Sequence, residues 1–322
     1  MAERVGFEPT LRHNRKPDFE SGAFDHSATS PKWARMIRGE RGADNLGARK
    51  SSWRRRMDPG DLLTGLSDGL HRLRTREGGA LVVKVRRGAV GDFFAAEARG
   101  LAAMGATGSL RVPRVLAVRT DGIVLEDLGS GRPQRSDWER AGANLARMHR
   151  SISDSFGFDA DGWCGDSPQD NTRSADGYRF FAERRLLAQA KRARANALLD
   201  ESDMQCVERI CERLEHLVPD GPPALVHGDL WIANLHACAS GELALIDGGA
   251  VHYGWAESDL AMLTLFGEPP SPFFTAYQSE TQIDNAWRER APLYNLYHLL
   301  NHLNLFGSGY LGSVRAILRR YG

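Results

Sequence analysis

Apolar positions follow no regular spacing before about residue 60 and follow clear ones after it. Leu70 and Leu73, then the run Ala80–Val85, read as two strands joined by a turn at 77–79. Phe93, Phe94, Leu101 and Met104 recur at helical spacing, with Glu97 among them. Apolar runs at 113–118 and 122–128 read as two further short strands, and Gly129-Ser130-Gly131 breaks the chain. Beyond it the period turns helical. Trp138, Ala141, Leu145 and Met148 mark one face of an amphipathic helix ending at His149. A loop rich in Gly, Asp and Pro (156–172) leads into helices at 180–199 and 204–217. Ala224–Val226 is a short strand, 233–238 and 242–246 form a hairpin, and helices follow near 257–266 and 285–305. The pattern predicts an α+β, bilobal chain. Residues 57–128 form a small β-rich N-lobe with one helix, which binds nucleotide; residues 129–322 form a larger, mainly helical lobe for catalysis and substrate binding.

Composition changes this picture mainly at the N-terminus. Residues 1–56 carry thirteen Lys/Arg against seven Asp/Glu, which leaves the remainder acidic within a chain of formal charge +1. Their Arg, Ser, Gly and Pro content predicts disorder rather than a core. Residues 5–31 also resemble peptides produced when translation is assigned to begin upstream of the true start, through a transfer-RNA gene; Met57 is the expected start. The near-neutral charge argues against a nucleic-acid binder. No run approaches the ~18 apolar residues of a membrane span, and no secretory signal is visible. Four cysteines without a CxxC pair fit reduced structural thiols. A soluble cytoplasmic protein is expected, with a monomer favoured.

The chemistry concentrates in residues 225–247, LVHGDLWIANLHACASGELALID. A strand ends in His-Gly-Asp, Asn234 follows Asp229 by five residues, and a hairpin returns the chain to Asp247. Phosphoryl transfer needs such a set: one carboxylate to accept a hydroxyl proton, and an amide oxygen and second carboxylate to hold Mg²⁺ against ATP phosphates. Asp229 is therefore the candidate base, and Asn234 and Asp247 the candidate Mg²⁺ ligands. The plainer reading, a polar turn between strands, explains the spacing less well. Lys84 lies in an apolar strand and Glu97 in the next helix, as the phosphate-contacting Lys and its Glu partner do in protein kinases. Backbone groups of Glu126, Asp127 and Leu128, where the lobes join, are placed to hydrogen-bond adenine.

These segments resemble the fructosamine kinase (ketosamine-3-kinase) family within the aminoglycoside-phosphotransferase-like group. The likeness rests on HGDLW (227–231) with Asn234, on Tyr253-Gly254 with ESDLAM (257–262), and on Leu265-Phe-Gly267 with 273–277. It extends to Phe156-Gly-Phe158 through FFAERRL (180–186) and to YNLYHLLNHLNLFGSGY (294–310), so that it covers roughly residues 60–320. The resemblance implies a protein-kinase-like fold and transfer of the ATP γ-phosphoryl group to a sugar hydroxyl of a ketosamine, typically at the third carbon. The role implied is repair of glycated amines and proteins, with ribulosamines favoured among bacterial-type relatives. It assigns Asp229 as base, Asn234 and Asp247 to Mg²⁺ and Lys84 to phosphate. Trp231 packs on the substrate or simply fills volume beside the site.

Other residues carry two readings. Asp259 is expected to cap a helix or brace the catalytic loop, and His227 to brace it by hydrogen bonds. His298 and His302, four apart on one helix, invite a metal reading; without a third ligand nearby, a packing role is preferred. The chain departs from the family at Ser67-Asp68-Gly69, where adjacent glycines are usual and a carboxylate would repel phosphate. It departs again at Gly248-Gly249-Ala250 and at Trp255-Ala256, both expected near the substrate side. Phosphorylation of an aminoglycoside or choline-like alcohol is the alternative enzyme reading; a non-catalytic ligand-binding pseudokinase is the alternative of a different class.

Overall fold

The computed structural model describes residues 59–75 and 79–322. The expected disorder of residues 1–56 and most of the turn at 77–79 lie outside them.

Four antiparallel strands, β1 (Gly69–Arg74), β2 (Ala80–Val85), β3 (Val115–Arg119) and β4 (Gly122–Glu126), form one sheet in the order β1-β2-β4-β3. Its two faces follow from the period of two. Val83, Val85 and Val124 pack with Leu63 on one face. Lys84 lies opposite Ile123 in the β2–β4 register and shares with it the other face, where Ile123 and Leu125 pack toward helix α1 (Phe93–Ala106) through Phe94, Leu101 and Met104. The alternation that buries two valines thus directs the intervening lysine to the helix that carries Glu97.

The larger lobe is helical. Helix α2 (Arg135–His149) packs on α8 (Ser271–Ser279) so closely that a Cβ on Gly142 would lie 2.0 Å from the Phe273 carbonyl oxygen. The twenty-residue α9 (Trp287–Phe306) runs through the core. Around it stand α7 (Ala256–Met262), α4 (Ala188–Ala195) and α10 (Leu311–Tyr321). The helix expected at 180–199 is composite: α3 (Gly177–Phe181), a π-helical turn (Ala182–Leu187) and α4, ending before Ala197, whose φ is +56°. Within the π turn Arg185 is fully buried and donates to the Asp170 carbonyl and to Asn171 Oδ1, both at 2.7 Å. Helices α5 (Glu201–Glu212) and α6 (Leu214–Leu217) divide the segment expected as one helix at 204–217. Among the described residues no helix is long and apolar enough to cross a membrane.

The segment 156–172, expected to be loop, contains a small hairpin, β5 (Gly162–Cys164) with β6 (Ser167–Gln169). Three-residue strands are too short to show an alternating pattern. This hairpin ties the lobes together: the Trp163 ring meets that of Phe93 at 5.5 Å, Asp166 pairs with Arg86, and Arg99 donates to the Asp161 carbonyl.

Candidate active site

Strand β7 (Ala224–Val226) delivers the chain to His227, and the loop that follows is held from below by one buried carboxylate. Asp259, on α7, accepts the backbone N–H groups of His227 at 2.7 Å and Gly228 at 2.9 Å. Its Oδ2 also lies 3.2 Å from His149 Nε2, whose other ring nitrogen meets Tyr277 Oη at 2.7 Å. Burial alone would raise the Asp259 pKa, yet hydrogen bonds and the neighbouring histidines hold it below the ordinary carboxylate range. Asp259 is therefore a brace rather than a cap, since the residue preceding α7 is Trp255. His227 braces as well, its Nε2 lying 2.8 Å from the Ile246 carbonyl oxygen. Gly228 has φ +78° and no room for a side chain; a Cβ there would sit 2.2 Å from the Ala250 carbonyl oxygen.

Asp229 emerges from this braced turn with 26% of its side chain exposed, and its carboxylate makes no hydrogen bond among the described residues. Burial, then the charges of Asp247 and Asp259, raise its pKa to about 7. Such a carboxyl is poised to exchange a proton near neutrality. Asn234 donates Nδ2 to the Asp229 carbonyl at 2.8 Å, which fixes its amide and leaves Oδ1 as an oxygen donor. The hairpin β8 (Leu235–Ala237) and β9 (Leu243–Leu245) returns the chain to Asp247, which takes a left-handed conformation with φ +65°.

Lys84 connects the lobes. Its Nζ donates to Glu97 Oε1 at 2.6 Å and to Asp247 Oδ1. Burial pushes the ammonium down, but the two carboxylates outweigh it and hold its pKa above the ordinary value. Glu97 is pushed up by burial and by Asp247, against the pull of Lys84. Backbone packing keeps the three together. A Cβ on Gly100 of α1 would lie 1.8 Å from the Gly248 carbonyl oxygen, and one on Gly162 would lie 2.6 Å from that of Gly249. Helix, turn and hairpin stack with backbone against backbone, which gives the glycines at 248 and 249 a steric reason.

Other expected site residues lie as follows. Glu126 accepts from Arg111 and Arg114, and its N–H donates to the Arg114 carbonyl. The Asp127 N–H donates to Ala80, and the Leu128 carbonyl accepts from Ala239. The Leu128 N–H has no partner among the described residues, so of these three it offers the open donor. Trp231 is half-buried two residues after Asp229, its backbone N–H donating to the Asp229 carbonyl at 3.1 Å. Asp68 accepts the Arg87 N–H at 2.8 Å, so its carboxylate is engaged at the end of β2. Trp255 lies within an aromatic cluster with Phe156, Tyr178 and Phe181, and Glu257 forms a two-pronged pair with Arg290.

The sequence reading gave His298 a packing role and did not single out Cys164; the structure places both beside Asp229. His298 Nδ1 stands 3.9 Å from Asp229 Oδ1, and burial lowers the His298 pKa to about 3. Cys164 completes the cluster from β5. Their distance from residue 229 along the chain left no local signal. His302, by contrast, packs as expected, stacked on Phe266 at 4.9 Å.

Known proteins share this architecture. The fructosamine kinase family model matches residues 61–321. A Synechocystis protein named as a ketoamine kinase is 39% identical over 243 residues, covering 74% of this chain and 81% of that protein. The chloroplastic protein-ribulosamine 3-kinase of Arabidopsis thaliana is 35% identical over 257 residues, 76% of this chain and 77% of that protein. The crystal structure of a protein assigned as a fructosamine-3-kinase from Thermobifida fusca superposes with a TM-score of 0.72 at 36% identity, over 78% of this chain and 89% of that one. The chain has the bilobal protein-kinase-like fold and belongs to the fructosamine kinase family.

Proposed function

We propose that the protein is a cytoplasmic kinase that transfers the γ-phosphoryl group of ATP to a sugar hydroxyl of a ketosamine, at the third carbon. Ribulosamines or fructosamines on amines or proteins are the substrate class, and repair of glycation is the role. The observation that carries this reading is the pairing of Asp229, raised to about 7, with the Lys84–Glu97–Asp247 cluster that joins the lobes beside it. The names of the relatives support the substrate class.

In this reading Lys84 contacts the nucleotide phosphates and the Leu128 N–H faces adenine. Asn234 Oδ1 and the Asp247 carboxylate are hard oxygen donors that fit Mg²⁺. When bound, Mg²⁺ neutralises phosphate charge. Asp229 accepts the proton of the attacking hydroxyl as the new O–P bond forms, and the bond to the leaving ADP oxygen breaks. Its raised pKa makes it a stronger base than an ordinary aspartate, while the Asp259 brace keeps its loop in place. Trp231 packs beside the sugar.

The test is ATP consumption by the full chain with Mg²⁺, offered ribuloselysine, fructoselysine and an aminoglycoside. Turnover of a ketosamine that falls by about 10²–10⁴-fold in Asp229→Asn is the expected result. Turnover of the aminoglycoside alone overturns the substrate class, and no turnover of any of them overturns the kinase reading.

A further inference from the structure

Three segments far apart in sequence meet behind the catalytic base. Cys164 comes from the β5–β6 hairpin, Asp229 from the catalytic loop and His298 from the middle of α9. A thiol sulfur, a carboxylate oxygen and a ring nitrogen from these residues all lie within 4.8 Å of one another. The His298 to Asp229 separation of 3.9 Å is too long for a hydrogen bond. Cys164 and His298 are packed in the core, at 2% and 4% exposure. Asp229 is the open member and supplies an entry path from solvent. Behind the sulfur, Asn301 Nδ2 lies 3.3 Å from Cys164 Sγ and 3.1 Å from its carbonyl oxygen; burial and the charge of Asp229 push the free thiol up and keep it protonated, so a metal must displace its proton.

We propose that Cys164, Asp229 and His298 form a binding site for a thiophilic divalent cation of the Zn²⁺ type, and that its occupation silences the enzyme by engaging the base. The site is chemically distinct from the oxygen donors Asn234 and Asp247. A sulfur–nitrogen–oxygen set suits Zn²⁺ and disfavours Mg²⁺. Zinc bond lengths of about 2.0–2.3 Å put the ligand atoms of a tetrahedral site roughly 3.3–3.8 Å apart. With the ligand atoms up to 4.8 Å apart, the cluster needs to contract by about 1 Å to reach this, through rotation of the unbonded Asp229 carboxylate together with small shifts of the Cys164 and His298 side chains. Binding forms one metal bond to each residue and sends the thiol proton to solvent. The inhibitory part of the proposal rests on Asp229 being the base; the binding part does not.

The test titrates Co²⁺ into the full chain without nucleotide and follows the thiolate-to-cobalt charge-transfer absorption, with Zn²⁺ as competitor. A band that Zn²⁺ displaces is expected in the unmodified protein. It should disappear in Cys164→Ala, and in the nearly isosteric Cys164→Ser should alanine disturb packing. His298→Asn should weaken binding roughly tenfold or more. In phosphorylation assays normalised to each variant's zinc-free rate, the same substitutions should raise the inhibitory Zn²⁺ concentration roughly tenfold or more, and a chelator should restore the rate. Absence of the band, its persistence without Cys164, or zinc inhibition unchanged in the cysteine variants overturns the proposal. Failure of the kinase reading would leave the cobalt band intact, whereas failure of the metal site would leave phosphorylation indifferent to Cys164.

Discussion

The two sides of the cleft use the same residue types and hold them by different means. On the catalytic side, Asp259 lies in the core, accepting two backbone N–H groups and lying against His149. It satisfies groups that have no access to water, so it belongs to the fold as much as to the site. On the nucleotide side, Lys84, Glu97 and Asp247 hold one another by charge between the lobes, with the lysine and Asp247 partly exposed. Those charges can change partners. One side is fixed by buried hydrogen bonds, and the other is a set of charges that can rearrange. A kinase needs both: a base that does not wander and phosphate contacts that can rearrange.

The sharpest way to break the comparison is Asp259→Ala. It leaves two buried N–H groups and His149 without their acceptor, and loss of one member of such a buried set costs about 3–5 kcal/mol. A fall in melting temperature on the order of 10 °C is expected, with activity lost alongside; a melt within a few degrees of the parent would show that the loop does not depend on the brace. Lys84→Met should act differently. Glu97, already pushed up by burial and by Asp247, can take a proton and limit the damage to the fold. Catalytic efficiency toward ATP is expected to drop about 10²–10³-fold, with a melting temperature well above that of Asp259→Ala. Equal losses of stability in the two variants would erase the distinction.

The smallest effect is also the most diagnostic. Asp229 is raised from 3.8 to about 7 in the folded protein, chiefly by burial and then by Asp247 and Asp259. A carboxyl raised on folding opposes stability once the unfolded chain ionises it, so its penalty grows from about pH 4 to pH 7 and is constant above. Asp229→Asn removes that penalty. The variant should melt above the parent by an amount that increases by about 2 kcal/mol between pH 5 and 7 and then levels. The parent's own activity should rise with pH to about 7, as the base loses its proton. A stability gain no larger at pH 8 than at pH 5 would sink this assignment of the titrating group.

The sequence made the β-rich lobe legible because its strands alternate and its helix has a clean period. It made the catalytic segment legible because base, amide and second carboxylate lie within nineteen residues on one hairpin. Lys84 stood out because it interrupts an apolar strand and is followed by Glu97 in the next helix. The β5–β6 hairpin was missed for the opposite reason: its strands are three residues long, and what holds them is contact with residues 249–250 and with α1. The π turn that buries Arg185 was equally hidden, since periodicity over 180–199 reads as one ordinary helix.

Taken alone, the sequence determined the fold class, the family and the candidates for phosphoryl transfer, because each is written in spacing over short stretches. Only the tertiary structure decided that Asp259 holds the catalytic loop from beneath, that Gly100 and Gly248 must meet backbone to backbone, and that Cys164 and His298 stand behind the base. Those arrangements join residues up to about 150 positions apart, and they arise from close packing of the folded chain, which no local pattern of hydrophobic and polar residues encodes.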